Sequence, residues 1–288
     1  MLEATVNGFV LGGAYALVAV GFVLLFNNTH FFNFAHGDFL TVGAFLAYSG
    51  TMVLHLPWPL MLLLVILVSA GLGLGTELLT RRVVRRRQLL VGAIATLGLG
   101  LVIRAVLYLV YGSAPLSVDQ IINLPAVHFL GAALDYQQLI ILAVALIVGA
   151  GLYYLYQHTF IGLMLKATAE DPVAAQVMGV PTSTIVKASF VGSAVLAGLA
   201  GALLAPIFAA SLSLGYLIVF IAVVGSMVGG FGSLVGAVVG SLLVGVIQVN
   251  TSFFVDANFQ NIAVYGLLLL LFIAWPAGIF GTRLAEKV

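Results

Sequence analysis

The sequence predicts an all-α polytopic membrane protein of about nine transmembrane helices, within a range of eight to ten. Three observations carry this reading. Mean hydropathy is +1.24, only 7% of the residues are charged against 63% apolar, and the whole of 188–255 lacks Asp, Glu, Lys and Arg. A water-soluble domain could not solvate its surface over so long a neutral stretch, whereas a bilayer demands one. The 30.1 kDa mass leaves no room for a large soluble module, so 1–288 reads as one transmembrane domain. Cysteine is absent, which excludes disulfides and thiolate chemistry.

A span needs about 17–25 mostly apolar residues. On that basis helices are expected near 4–26, 38–55, 59–79, 89–111, 138–157, 184–209, 214–229, 234–254 and 260–278. The second is short, and the seventh and eighth abut. The first reads as a retained span: Glu3 is its sole charge, and its apolar run reaches Phe26, beyond the length of a signal-peptide core.

The ten Lys and Arg set the orientation. Five lie within 81–87, Lys166 and Lys187 flank a polar island, and Arg283 and Lys287 lie near the end. The positive-inside rule makes all three places cytoplasmic, with an even number of spans between each and the next. The N-terminus is then outside and the C-terminus cytoplasmic. The run at 81–87 reads as a topology signal touching lipid headgroups rather than as a nucleic-acid site.

Glycines recur at helix-packing spacing. Gly225, Gly229, Gly232, Gly236 and Gly240 form one series, Gly8 and Gly12 another, and Ala197 with Gly201 a third. Small residues so spaced let helix backbones approach closely.

Two polar breaks stand out. The first is 27–38, NNTHFFNFAHGD, between the first two spans. Its dense polar side chains suit a non-helical stretch dipping into the membrane, with Asp38 able to cap the next helix. Asn33, His36 and Asp38 are candidates for a substrate path, whose bland alternative is hydrogen bonding within a re-entrant loop. His30, His36 and Asp38 lack a third nitrogen or sulfur donor and zinc spacing, so no metal site is expected.

Arg104 joins them as the one basic residue inside a span, nearer the outer leaflet. An intramembrane arginine costs roughly 2.5–3.5 kcal/mol on insertion scales, so it should snorkel to the headgroups or meet an anionic group. Glu77, one turn before Arg81, is expected to form an interfacial ion pair.

The second break is 159–180, TFIGLMLKATAEDPVAAQVMGV, with Lys166, Glu170 and Asp171 between two hydrophobic runs. Asp171 can cap a helix that begins at Pro172 and ends at Gly179. Lys166 and Glu170 are spaced for a weak i,i+4 pair. A short capped helix on the face of a membrane protein is what a soluble partner would grip. None of the three lysines follows the glycine pattern of a nucleotide-binding loop, and no G-x-S-x-G or H-E-x-x-H occurs. Energy for transport would have to come from another chain.

Several of these stretches resemble the integral-membrane permeases of branched-chain amino-acid ABC importers. Residues 8–48 resemble the family's opening span and its N-F-A-H-G-acid signature, here Asn33 to Asp38. LKATAEDPVAAQVMGVPTSTIVKASFVGSAVLAGLAGALLAP resembles its cytoplasmic coupling segment and following helix. VVGSMVGGFGSLVGAVVGSLLVG is similar to its L-G-G-x-G-S-x-x-G-A stretch, departing at Met227-Val228, and the ending LLLLLFIAWPAGIFG matches too. Residues 50–158 match in layout alone, and the length resembles the shorter of the two permease types.

The resemblance implies a permease subunit in a bacterial or archaeal cytoplasmic (inner) membrane. Its implied partners are ABC ATPase subunits, a second, similar permease and an external solute-binding protein, besides membrane lipids, with no nucleic acid. ATP and magnesium would sit on the ATPases and no cofactor on this chain. The coupling segment would be 159–183, with Asp171, Pro172 and Gly179 fixing its shape and Lys166 and Glu170 offering charge. Relatives of this framework are thought to carry urea, amides or other small polar solutes, so the substrate stays open. The competing expectation is an ion- or proton-coupled secondary transporter or channel using His36, Asp38 and Arg104.

Overall fold

A computed structural model of the protein describes residues 2–85, 88–122, 127–129, 132–274 and 278–280. Arg86, Arg87, Arg283 and Lys287 lie outside the described residues, as does Trp275 to Ala277 in the closing motif. Helices occupy Leu2–Thr29 (α1), His36–Tyr48 (α2), Trp58–Arg85 (α3), Leu89–Tyr111 (α4), Tyr136–His158 (α5), Phe160–Glu170 (α6), Pro172–Val177 (α7), Thr182–Phe208 (α8), Leu214–Gly229 (α9), Leu234–Phe254 (α10) and Gln260–Ala274 (α11). One small departure from an all-helical chain lies between α4 and α5. There Val127–Phe129 and Ala132–Leu134 pair as an antiparallel hairpin.

Each expected stretch carries a helix, but they are not equal. Among the described residues, six helices are long and apolar enough to cross a membrane: α1, α3, α4, α5, α8 and α10. The helix expected over 38–55 starts two residues early and stops at Tyr48, continuing as a π-helical turn through Val53. α9 is a shorter apolar helix, and so is the stretch from Ala257 into α11.

α1 is the axis of the bundle. It is apolar all round and mostly buried, and it packs on α10, α8, α5 and α9. A helix without a polar face belongs in the middle of a bundle. α2 and α8 complete the interior, α8 through alanines and glycines such as Ala194, Ala197 and Ala200. The outer helices turn leucines outward, among them Leu67 and Leu78 of α3 and Leu101 and Leu109 of α4. Those faces suit hydrocarbon, which is as apolar as they are.

Backbone contact explains the glycine series. A side chain at Gly12 would strike the backbone of Leu242, and one at Gly245 would strike Gly12 itself, so α1 and α10 touch main chain to main chain. The sharp turn from α9 to α10 uses Gly230 (φ 116°) and Gly232 (φ 93°), conformations that disfavour L side chains. Ser233 then caps α10, its hydroxyl accepting from the Gly236 N–H at 3.0 Å.

Candidate functional site: a cavity between helices and a short exposed helix

The segment between α1 and α2 climbs along one face of α4. Phe31 rests on Gly92, the Phe34 N–H donates to Thr96 Oγ1 at 3.2 Å, and the Asp38 carboxylate lies against Gly100. Gly92, Thr96 and Gly100 stand one turn apart and are all buried. Their small size makes the groove that holds the segment. Any side chain at Gly100 would collide with the Asp38 carboxylate.

This path carries Asp38 to Arg104, whose Nε stands 2.7 Å from Asp38 Oδ1. Asp38 therefore does not cap α2, which has no side-chain cap. It answers Arg104 instead. The carboxylate is buried while the arginine side chain is 35% exposed, so the pair sits at the wall of an open space rather than in the core. That space is a cavity of about 350 Å³. Its walls are largely aromatic and aliphatic, with Phe32, Phe34, Tyr216 and Phe220 prominent, and its polar groups are Asn33, Asp38 and Arg104.

Asn33 is 2% exposed. Its Oδ1 accepts from the Ala35 N–H at 3.1 Å, while its Nδ2 meets no acceptor among the described residues. A buried amide donor left open in a cavity wall is where a polar ligand atom would be matched.

His36 belongs elsewhere. Two residues from Asp38, it points from the opposite side of α2 and is fully buried. One ring nitrogen, Nε2, lies 3.1 Å from the Val18 carbonyl and the other, Nδ1, lies 3.1 Å from Ser193 Oγ. With Nε2 donating and Nδ1 accepting, this is a neutral imidazole pinning α2 to α1 and α8. No group of three His, Asp or Glu among the described residues could hold a metal ion.

The second polar break folds into two helices. Thr159 ends α5 and caps α6, its Oγ1 accepting from the Gly162 N–H at 3.2 Å. Asp171 caps α7 with Oδ1, which accepts from the N–H groups of Val173 (2.9 Å) and Ala174 (3.1 Å), with Pro172 at the first position. Gly179 leaves the helix at φ 88°. Lys166 does not join Glu170. Its Nζ donates to Gln157 Oε1 at 2.6 Å and lies over the Tyr156 ring at 5.1 Å, tying α6 back to α5. Glu170 is exposed. The expected Glu77 pair is present and bidentate to Arg81, at 2.8 and 2.9 Å.

A model of the family described as branched-chain amino acid transport system / permease component matches residues 4–274. The chain belongs to this family. It is a multi-pass membrane permease, a component of a transport system rather than an enzyme. It is 25% identical over 300 residues to the high-affinity branched-chain amino acid transport system permease protein LivH of Salmonella typhimurium, covering 100% of this chain and 97% of that one. It is 28% identical to the permease BraD of Pseudomonas aeruginosa, covering 100% and 98%. A probable LivH of Methanocaldococcus jannaschii is 28% identical, covering 93% and 86%.

Two features of this permease escape a reading of charges and motifs. On α7 and at its C-cap three large apolar residues are exposed beside Gln176: Val173 is 66% exposed, Val177 82% and Met178 83%. Three large apolar side chains on so short a helix could have been noticed. The Gly92, Thr96, Gly100 spacing was equally visible, but nothing in it says what fills the groove.

Proposed function

We propose that this permease is the membrane subunit of an ATP-binding-cassette importer for branched-chain amino acids or a related small polar solute. An external binding protein delivers solute, a second, similar permease completes the path, and ATPase subunits carry ATP and magnesium. This chain binds no cofactor of its own. In this reading 1–288 is one transmembrane domain with nine crossings, α2 and its π turn, α9 and α11 supplying the three short ones. The N-terminus is outside and the C-terminus cytoplasmic, in the inner membrane of a bacterium or archaeon.

Residues 159–183 form the coupling segment, and α7 is what the ATPase grips. The observation that carries this reading is the exposed apolar face of α7, held rigid by the Asp171 cap, in a family of transport permeases. The cavity at Asn33, Asp38 and Arg104 is the solute path. Its mixture of apolar wall, carboxylate, guanidinium and open amide suits a small amphiphilic or zwitterionic solute.

Extraction from native membranes in mild detergent tests the assembly. Recovery of one or two P-loop ATPases and a second permease is expected. Recovery of this chain alone, together with uptake that survives ATP depletion and follows a proton gradient, would replace the importer by a secondary transporter.

A further inference from the structure

The loop that builds the cavity is tied at its other end to the coupling segment, through a residue with no part in either. His30 follows the last residue of α1 and adopts φ 51°, a left-handed conformation that few non-glycine residues take, histidine more often than most. Its Nε2 lies 3.1 Å from the carbonyl oxygen of Ala169. That carbonyl is in the last turn of α6, where carbonyls lack partners within the helix, and two residues before the Asp171 cap of α7. The strained backbone aims the imidazole there, and such outliers persist only where surrounding contacts fix them.

From His30 onward the chain has little slack. Phe31 is buried on Gly92. Phe32 stacks on Phe231 of the α9–α10 turn at 5.8 Å, and Asn27 donates to the Gly232 carbonyl in the same turn at 2.7 Å. Phe32, Asn33 and Phe34 then line the cavity, and Asp38 holds Arg104. One short strip, non-helical as far as Ala35 and then the first turn of α2, thus touches the coupling segment at its first residue and the charged pair at its last.

We propose that His30 is a positioning residue that transmits movement of α6–α7 to the cavity through the 30–38 strip. This rests on the reading of α7 as the ATPase contact. When the coupling segment shifts, the Ala169 carbonyl carries His30 with it, and Phe32 and Asn33 move against the cavity floor. His30 does not line the cavity and in this proposal acts through the Ala169 carbonyl. Its removal therefore separates ATP hydrolysis from cavity opening without detaching the ATPases.

This chain has no native cysteine, so a thiol introduced into it can be followed as the only one on this chain. Val219→Cys places a single thiol in the cavity wall of the complete transporter reconstituted in vesicles. The readout is its rate of reaction with a small methanethiosulfonate reagent, without nucleotide and with ATP and vanadate. With His30 present, the two rates should differ. His30→Gly keeps the left-handed backbone and removes the donor. It should erase that difference and lower uptake per ATP hydrolysed by roughly five-fold, while the ATPases still co-purify and hydrolyse ATP. His30→Gln, which restores an amide donor of similar reach, should recover most of both. A nucleotide-dependent rate that survives in His30→Gly overturns the role of His30 and leaves the importer standing. A rate that ignores nucleotide even with His30 present overturns the importer reading, and this inference with it. Should His30→Gly not accumulate, His30→Asn, whose amide falls short of Ala169 and which tolerates the same backbone, is expected to behave as the glycine variant. Full coupling in it counts against the proposal.

Discussion

The two polar breaks of this chain solve opposite problems. Residues 27–38 carry polar side chains into the bundle and match most of them there: Asp38 with Arg104, His36 with Val18 and Ser193, and Asn28 and Thr29 with carbonyls of their own helix. Residues 159–180 lie at the surface, where water can satisfy any polar group. Their Asp171 and Lys166 are spent on local shape, and beside Glu170 and Gln176 they present three large apolar residues outward, Val173, Val177 and Met178. Within the bundle the informative residues are charges with one specific partner, because an unmatched charge there is costly. At the surface they are apolar residues left uncovered, because only a partner would cover them. Reading both breaks by charge alone picks out Asp38 and Arg104 in the first and passes over the exposed apolar residues of the second.

The largest expected effect tests the inner break. Arg104→Ala leaves the buried Asp38 carboxylate without its cation and should destabilise the permease by about 3 kcal/mol, the lower part of the range for a broken buried pair. Thermal unfolding in detergent reads this. Asp38→Asn combined with Arg104→Gln removes both charges and should recover most of the stability while uptake stays low. If the double variant transports normally, the pair is structural alone and the inner break loses its functional half. Next comes the outer break. Val177→Asp with Met178→Asp should weaken ATPase association by about 2 kcal/mol, roughly thirty-fold, as expected for apolar anchors at the centre of an interface. Co-purification of the ATPases measures it, and unchanged binding would show that the apolar residues of α7 are not the ATPase contact.

Much of this arrangement was legible before any coordinates. Hydropathy located α1 to α5 and α8 to α11 but not α6, and the Asp171, Pro172 and Gly179 signals located α7. Cap chemistry is local, so sequence is enough to read it. The glycine series also pointed to close contact but could not name the partner. Gly245 against Gly12 joins residues at opposite ends of the chain. Arg104 and Asp38 were each singled out without being joined, since their meeting depends on where the 31–38 strip lies along α4. The length of α2 was misread for a related reason. Its apolar residues continue past Tyr48, but the helix widens into a π turn and ends near Leu54, where Pro57 and Trp58 begin α3. The Lys166 partner was missed because i,i+4 spacing ignores the turn at Thr159 that returns α6 to Gln157 and Tyr156.

The smallest expected effect is the most discriminating between a charge-based and an apolar contact. If the ATPase reads the charge of the coupling segment, Lys166→Gln should impair transport severely. The geometry argues otherwise. Lys166 is engaged by Gln157 and Tyr156 on the side of α6 that faces α5, some turns away from the exposed tip of α7. Losing one cation–π contact at a half-exposed site costs about 0.5–1 kcal/mol, and glutamine retains a hydrogen-bond donor toward Gln157. We expect Lys166→Gln to lower the midpoint of thermal unfolding slightly and to leave ATPase binding and uptake per ATP within two-fold, roughly the resolution of about 0.4 kcal/mol. A deep loss of coupling in this variant, with α7 intact, would move the contact from the apolar tip to the charged shoulder of the segment.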